Sequence, residues 1–240
     1  MIKIKHLYKS FGINPVLTDV NLTLKRGENI VILGKSGIGK SVLTKCIVGL
    51  IEQDKGTIEL YEKDISTLND IELDDIRKKI GYLFQGGALY DSMSVRENLE
   101  FPLRRSRFGK GKNKDIEKRI EEVLSNVGLL DAIDKMPSEL SGGMKKRIGL
   151  ARTLVLLPEI ILYDEPTTGL DPVTSREISE LIIEIQQKYK TSSIIITHDM
   201  KCAKLTANEV KLLEGGNFYA EGSFEELKNS KDRMVNAYFK

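Results

Sequence analysis

The stretch NIVILGKSGIGKSVLTKCIVGL, residues 29–50, decides the fold. NIVILG is a short apolar run rich in β-branched side chains, the pattern of a fully buried strand. KSVLTKCIVGL reads as a helix. Between them GKSGIGKS, 34–41, fits G-x-x-x-x-G-K-[ST] at every position. A glycine-rich turn arising by chance need not join a strand to a helix, so the context points to a phosphate-binding loop. Gly34, Gly37 and Gly39 let the backbone curl until its N–H groups face a phosphate. Lys40 is placed to neutralise β- and γ-phosphate charge. The Ser41 hydroxyl is a hard oxygen ligand suited to Mg2+.

Upstream, IKIKHLY and VNLTLKRGE alternate like half-buried strands of an antiparallel sheet. Downstream, TIELYEKDI at 57–65 resumes the alternation, and KKIGYLFQ predicts a strand ending at Gln85. ENLEFPLRR, DIEKRIEEVLSNVGL and the segment after LSGG carry helical periodicity. EIILYDE (159–165) and SSIIITH (192–198) return to short β-branched strands flanking a helix, SREISELIIEIQQKYK. Strand–helix–strand at this spacing implies a buried parallel sheet. EVKLLEGGNFYAEGS predicts a closing hairpin turning at Gly215-Gly216-Asn217. FEELKNSKDRMVNAYFK predicts a helical tail. There are no repeats and no linker, so a helical insertion of roughly 88–157 inside a β-rich core fits the order better than two domains in series.

Two strand ends add chemistry. Asp164 closes an apolar strand where a carboxylate can hold the magnesium shell. Glu165, one step on, can orient and deprotonate an attacking water. Adjacent buried carboxylates are costly without a cation, which weakens a purely structural reading. His198 ends another strand at the ligand-binding edge of the sheet, within reach of a γ-phosphate. Gln85, followed by two glycines, is placed to reach metal or water.

The bulk numbers narrow the class. In 240 residues, 37 basic side chains nearly cancel 35 acidic ones to +2, a poor balance for nucleic-acid binding. Cys46 and Cys202 form no metal-ligand cluster and fit a reducing compartment. No run approaches the roughly 18 apolar residues of a membrane span, and the N-terminus lacks a signal-peptide core. RRSRFGKGKNK holds six basic residues between Arg104 and Lys114. It reads as a solvated loop in preference to a contact with anionic lipid headgroups.

LSGGM, 140–144, is unexplained by any of this. It opens a helix whose Met144, Ile148, Ala151 and Val155 recur at helical spacing. A helix N-terminus with glycines is an anion site, yet the chain already has a better one. In the plainer reading, Ser141 is simply a cap.

Taken in order, these motifs closely resemble the ATP-binding cassette family, the ATPase subunits of ABC transporters. The resemblance covers nearly the whole chain: an aromatic at Phe11 (KSFG), the loop at 34–41, Gln85, the signature 140–144, the acidic strand 160–164, Glu165, Gly169-Leu170-Asp171 and His198. It implies an α/β P-loop cassette, a single domain 1–240, with a mainly parallel core sheet, an N-terminal antiparallel β subdomain and the inserted helical subdomain. It implies ATP and Mg2+ as cofactors. Nucleotide contacts then fall on Phe11, Gly34, Lys35, Ser36, Gly37, Ile38, Gly39, Lys40, Ser41 and Val42. Metal contacts fall on Ser41, Gln85 and Asp164, and catalysis on Glu165, His198 and Gln85. In the family two cassettes face head to tail and each signature motif clasps the other's ATP, so Ser141 and Gly143 serve the γ-phosphate of a nucleotide held by a second copy; Gly142 and Asp171 complete the expected ATP contacts. A homodimer follows from the single cassette. A permease is expected to contact Leu89, Tyr90 and Met93, or those side chains are core packing.

KSVL puts Val42 where many members carry a hydroxyl, and LSGGM has Met144 where Gln is usual. With the segment after Gln85, these features look most like the ATPases of Mla-type bacterial lipid transporters, which work with permeases and MCE-type lipid-binding proteins. That implies a cytoplasmic protein, peripheral on the inner face of the bacterial inner membrane. Transport of another substrate, such as an amino acid or a lipoprotein, fits most of the sequence equally. A cassette acting on nucleic acid lacks support: there is one cassette and no long coiled-coil insertion. A non-catalytic nucleotide-binding module is opposed by the intact Glu165 and His198.

Overall fold

The computed structural model describes residues 1–106 and 113–239; the basic stretch between Arg104 and Lys114 therefore lies largely outside the described residues. The chain opens with β1 (Ile2–Phe11) and β2 (Asn14–Leu24), then β3 (Asn29–Leu33), the phosphate loop and α1 (Lys40–Ile47). β4 (Lys55–Leu60) and β5 (Lys63–Asp64) complete a four-stranded antiparallel sheet in the order β2-β1-β4-β5. Next come α2 (Asp70–Arg77), β6 (Ile80–Leu83), and the helices α3 (Val95–Arg104), α4 (Asn113–Asn126) and α5 (Gly142–Leu154). β7 (Ile160–Asp164), α6 (Pro172–Tyr189), β8 (Ser192–Ile196), α7 (Met200–Thr206), β9 (Glu209–Glu214) and β10 (Asn217–Gly222) follow, and α8 (Phe224–Lys228) and α9 (Arg233–Tyr238) end the described chain.

The second sheet has the order β10-β9-β3-β8-β7-β6. Its strands run parallel except for the antiparallel edge strand β10. β3 lies inside it, and every residue of β3 is buried. Alternation along β3 divides the core. Ile30 and Ile32 face the antiparallel sheet and α1, while Val31 and Leu33 face α3–α6. Burying both faces explains why the strand reads as a continuous apolar run. Each such side chain stabilises the fold by about 1.5–3 kcal/mol.

Several boundaries differ from expectation for local reasons. β6 stops at Leu83, so Gln85 sits in the exposed turn beyond the strand and not at its end. The hairpin turns on Gly215-Gly216 alone, both at positive φ (57° and 82°), and Asn217 already belongs to β10. That is the two-residue turn whose twist matches its strands. α6 begins at Pro172, earlier than periodicity suggests, because Asp171 caps it. The tail is two helices, interrupted where Asp232 caps the second. α2 and α7 are too short for periodicity to reveal. α2 nonetheless carries a capping box between Asn69 and Glu72, legible as N-x-x-E.

Candidate active site

β3 delivers the chain into the phosphate loop, and α1 carries it away. The loop is pressed between two neighbours: a Cβ on Gly34 would lie 2.9 Å from the Leu213 carbonyl oxygen, and one on Gly39, at φ +111°, 2.9 Å from Val16 Cγ1. Neither position accepts a side chain. Lys40 folds back over the loop, its Nζ donating to the Gly34 carbonyl at 2.5 Å and the Lys35 carbonyl at 3.0 Å. It also lies 3.8 Å from Glu165 Oε1. Burial lowers the Lys40 pKa, and the carboxylates of Glu165 and Asp164 oppose that shift.

The acidic edge comes from β7. Asp164 Oδ1 accepts from Ser41 Oγ at 3.4 Å, and its Oδ2 lies 3.5 Å from the Tyr82 hydroxyl. Tyr82 in turn pairs with Thr44 Oγ1 at 2.9 Å, and burial pushes its pKa up to about 12. Glu165 turns the chain sharply at φ +51°, a strained value for a non-glycine residue. Its N–H donates to the Ile196 carbonyl at 2.9 Å, which ties the turn to β8. Glu165 Oε2 sits 2.8 Å from His198 Nδ1 and accepts from Thr168 Oγ1 at 3.0 Å. Asp199 anchors the His198 turn. One of its oxygens caps α7, and the other accepts from Thr167 Oγ1 at 3.0 Å.

One open cleft of about 660 Å³ gathers these groups. The loop from Lys35 to Val42 lies along it, with Phe11 and Gln85 at its sides and Asp164, Glu165 and His198 opposite. Gly34 lies beneath, and Ile38 packs half-buried against the core. Phe11 is 49 % exposed and lines the cleft, with the Lys9 ammonium 5.5 Å from its ring centre. Val16 and Thr168 line the same cleft, although no sequence signal singled them out.

Ser141, Gly142, Gly143 and Asp171 do not line this cleft. Ser141 caps α5, its Oγ accepting from the Met144 N–H at 3.2 Å. Asp171 caps α6 and accepts from Thr174 Oγ1, which holds its carboxyl below the usual range. The two caps adjoin. A Cβ on Gly143 would lie 2.6 Å from Thr174 Cγ2, and one on Gly142 3.6 Å from Leu170 Cδ2. Together they make a separate, mostly exposed edge. Of the three residues expected at a permease contact, Leu89 packs half-buried on the core, so for it the packing reading has support. Tyr90 is 42 % exposed, against Phe101 and the Arg152 guanidinium. Asn98, fully buried, holds this loop by bonds to Tyr90, Met93 and Ser94.

Sequence reasoning also passed over Lys146. In KKR it looks like one of a solvated run, yet its side chain is buried and bonds the main chain of Gln85 and Glu165. Among the described residues, no helix is long and apolar enough to cross a membrane.

A family model described as ABC transporter matches residues 17–168. The methionine import ATP-binding protein MetN of Clostridium tetani is 38 % identical over 227 residues, covering 95 % of this chain and 70 % of that one. A probable ribonucleotide transport ATP-binding protein of Mycobacterium tuberculosis is 40 % identical over 237 residues, covering 99 % of this chain and 66 % of that one. The chain thus spans about two thirds of these relatives' length. Among solved structures, a dimeric ATP-binding cassette in a post-hydrolysis state with ADP and phosphate has a TM-score of 0.84 at 32 % identity, over 93 % of this chain and 99 % of that one. The protein cbiO1 of Clostridium perfringens, part of an ABC transporter complex, has a TM-score of 0.88 at 31 % identity, over 98 % and 94 %. Phosphate loop, acidic strand end and histidine turn meet in one cleft, and family model, relatives and solved cassettes agree: the chain belongs to the ABC transporter family as one of its ATP-binding, ATP-hydrolysing subunits.

Proposed function

We propose that two copies of this chain close head to tail on two ATP molecules, and that closing and parting drive a membrane permease. One observation carries the reading: the expected nucleotide contacts are divided between a cleft and a separate edge that does not line it. Each cleft is then completed by the partner's Ser141, Gly143 and Asp171 edge. The helices α3–α5 act as the inserted unit of a single domain and present that edge.

The cleft suits the chemistry. Phe11 stacks on the adenine. The loop N–H groups and Lys40 hold the phosphates. Ser41 and Asp164 offer two oxygens to magnesium, with Gln85 beside them, the sparse set expected of an ion arriving with its nucleotide. When bound, magnesium offsets phosphate charge. Glu165 takes the proton of the attacking water. His198 both orients Glu165 and reaches toward the γ-phosphate. Loss of that phosphate removes the bond between the two copies.

The cargo we propose is phospholipid, moved with a permease docking around Tyr90 and an MCE-type lipid-binding protein, at the inner face of a bacterial inner membrane. The Val42 and Met144 variants and the segment after Gln85 support it. An amino-acid cargo is the second reading, favoured by the methionine-import relative. Pull-down from gently solubilised membranes separates them by the permease and binding protein recovered. The dimer itself is tested by mixing. Lys40→Ala and Ser141→Ala chains should each be inactive. Their equimolar mixture should regain about a quarter of the parent rate, because half the pairs are mixed and each mixed pair keeps one intact site. No recovery on mixing would overturn the shared site.

A further inference from the structure

The segment leaving β6 and the helix α5 are joined along their length. Lys146, Gly149 and Arg152 lie on one face of α5 at helical spacing. Lys146 Nζ donates to the Gln85 carbonyl, and Arg152 Nη1 donates to the Ala88 carbonyl at 2.8 Å. Between them the two backbones touch: a Cβ on Gly149 would lie 2.8 Å from the Gly87 carbonyl oxygen, and one on Gly87 3.1 Å from the Lys145 carbonyl oxygen. This close approach, together with a φ of +78°, accounts for glycine at 87. Lys146 alone reaches further, donating to the Glu165 carbonyl at 3.1 Å. One ammonium, only 6 % exposed, thus holds the main chain at both Gln85 and Glu165 to the helix that Ser141 opens. Burying a charge for two carbonyl bonds is poor value for stability alone, since an apolar side chain of similar volume is often as good or better.

We propose that Lys146 is a positioning residue for hydrolysis: it fixes the strained turn at Glu165 and the Gln85 turn against α5, so that a protomer's own cleft and the edge it offers its partner are set together. The inference rests on the paired-site reading above. Lys146 touches no expected nucleotide atom; its effect runs through the placement of Glu165 and Gln85. A displacement of the base by about 1 Å costs on the order of 100-fold in rate.

The test uses the full chain with Lys146→Met, Lys146→Gln and Lys146→Arg. Lys146→Met should lower kcat roughly 10- to 100-fold, with KM and ATP affinity within about threefold of the parent. Its melting temperature should fall modestly, because losing two bonds to carbonyl oxygens is only partly offset by removing a desolvated charge. Lys146→Arg, which keeps a cation with several donors, should recover part of the rate. A loss of kcat at nearly unchanged KM and ATP affinity, partly restored by Lys146→Arg, is the signature that a merely structural lysine lacks. If Lys146→Met keeps kcat within about twofold, or loses melting temperature, affinity and rate together, the inference is overturned. Should Lys146→Met fail to fold, Lys146→Gln is judged by the same criteria. The mixing of Lys40→Ala and Ser141→Ala chains separates the two readings: absence of recovery there removes the paired sites, whatever Lys146 does.

Discussion

Glu165→Gln removes the charge and basicity of the proposed base while keeping its volume. In the parent, Glu165 Oε2 meets both His198 Nδ1, at 2.8 Å, and Thr168 Oγ1, at 3.0 Å. The glutamine oxygen can keep both partners on one atom, so the local geometry survives. Glu165 Oε1 lies 3.8 Å from Lys40 Nζ, a pair worth about 4 kcal/mol at an effective dielectric of 20. Relief of carboxylate burial offsets much of that loss, and Lys40 retains the Gly34 and Lys35 carbonyls. A net destabilisation of about 1–3 kcal/mol is expected. The chemistry should suffer far more, by about 100- to 10,000-fold in kcat, the range supplied by a positioned general base. ATP binding should persist, and the ATP-bound dimer should accumulate because nothing now breaks it. Steady-state phosphate release gives kcat, and light scattering after gel filtration with Mg-ATP gives the dimer population. A variant that hydrolyses ATP within about threefold of the parent, or that loses ATP binding along with hydrolysis, would refute the assignment.

Three further outcomes follow from the same geometry. Gly143→Ala places a methyl 2.6 Å from Thr174 Cγ2 on the exposed edge; it should leave ATP binding by the isolated chain intact and cut hydrolysis, measured by equilibrium binding beside turnover. Phe11→Ala should weaken nucleotide binding by about 1–3 kcal/mol, with similar losses for ATP and GTP in fluorescence titration because a ring face does not distinguish bases. The buried thiols of Cys46 and Cys202 are each pushed from an ordinary 9.0 up to about 11 by burial. The folded chain therefore keeps protons that the unfolded chain loses, so stability should fall as pH rises from about 9 to 11, by up to about 3 kcal/mol per thiol. Cys202→Ala should flatten that slope in denaturant melts, and neither thiol should react with an alkylating reagent at neutral pH until the chain unfolds.

How much of the site was readable depended on where its partners lie in the chain. The phosphate loop is contiguous, and its strand and helix announce themselves by pattern, so its placement needed nothing distant. Asp164, Glu165 and His198 were legible because an acid or a histidine at or just beyond the end of a buried apolar strand is a local contrast, although β8 stops at Ile196 and His198 sits in the turn two residues past it, not at the strand's end. Thr168 was not, since a threonine among loop residues carries no such contrast and acquires its role only through Glu165. Helix starts at Pro172 and Met200 were set by aspartate caps, Asp171 and Asp199, which periodicity alone does not weigh.

The sequence by itself determined that there is a P-loop cassette here, and in which order its motifs come, because glycine conformations, apolar runs and terminal charges act within a few residues. Only the tertiary structure decided that Ser141, Gly143 and Asp171 stand apart from the cleft they resemble in chemistry. It also decided that Lys146, which reads as a solvated lysine, is buried against Gln85 and Glu165. Both facts depend on how α5 crosses the end of the parallel sheet, and the packing of α5 against β6 and α6 sets that crossing. No local pattern in the chain encodes it.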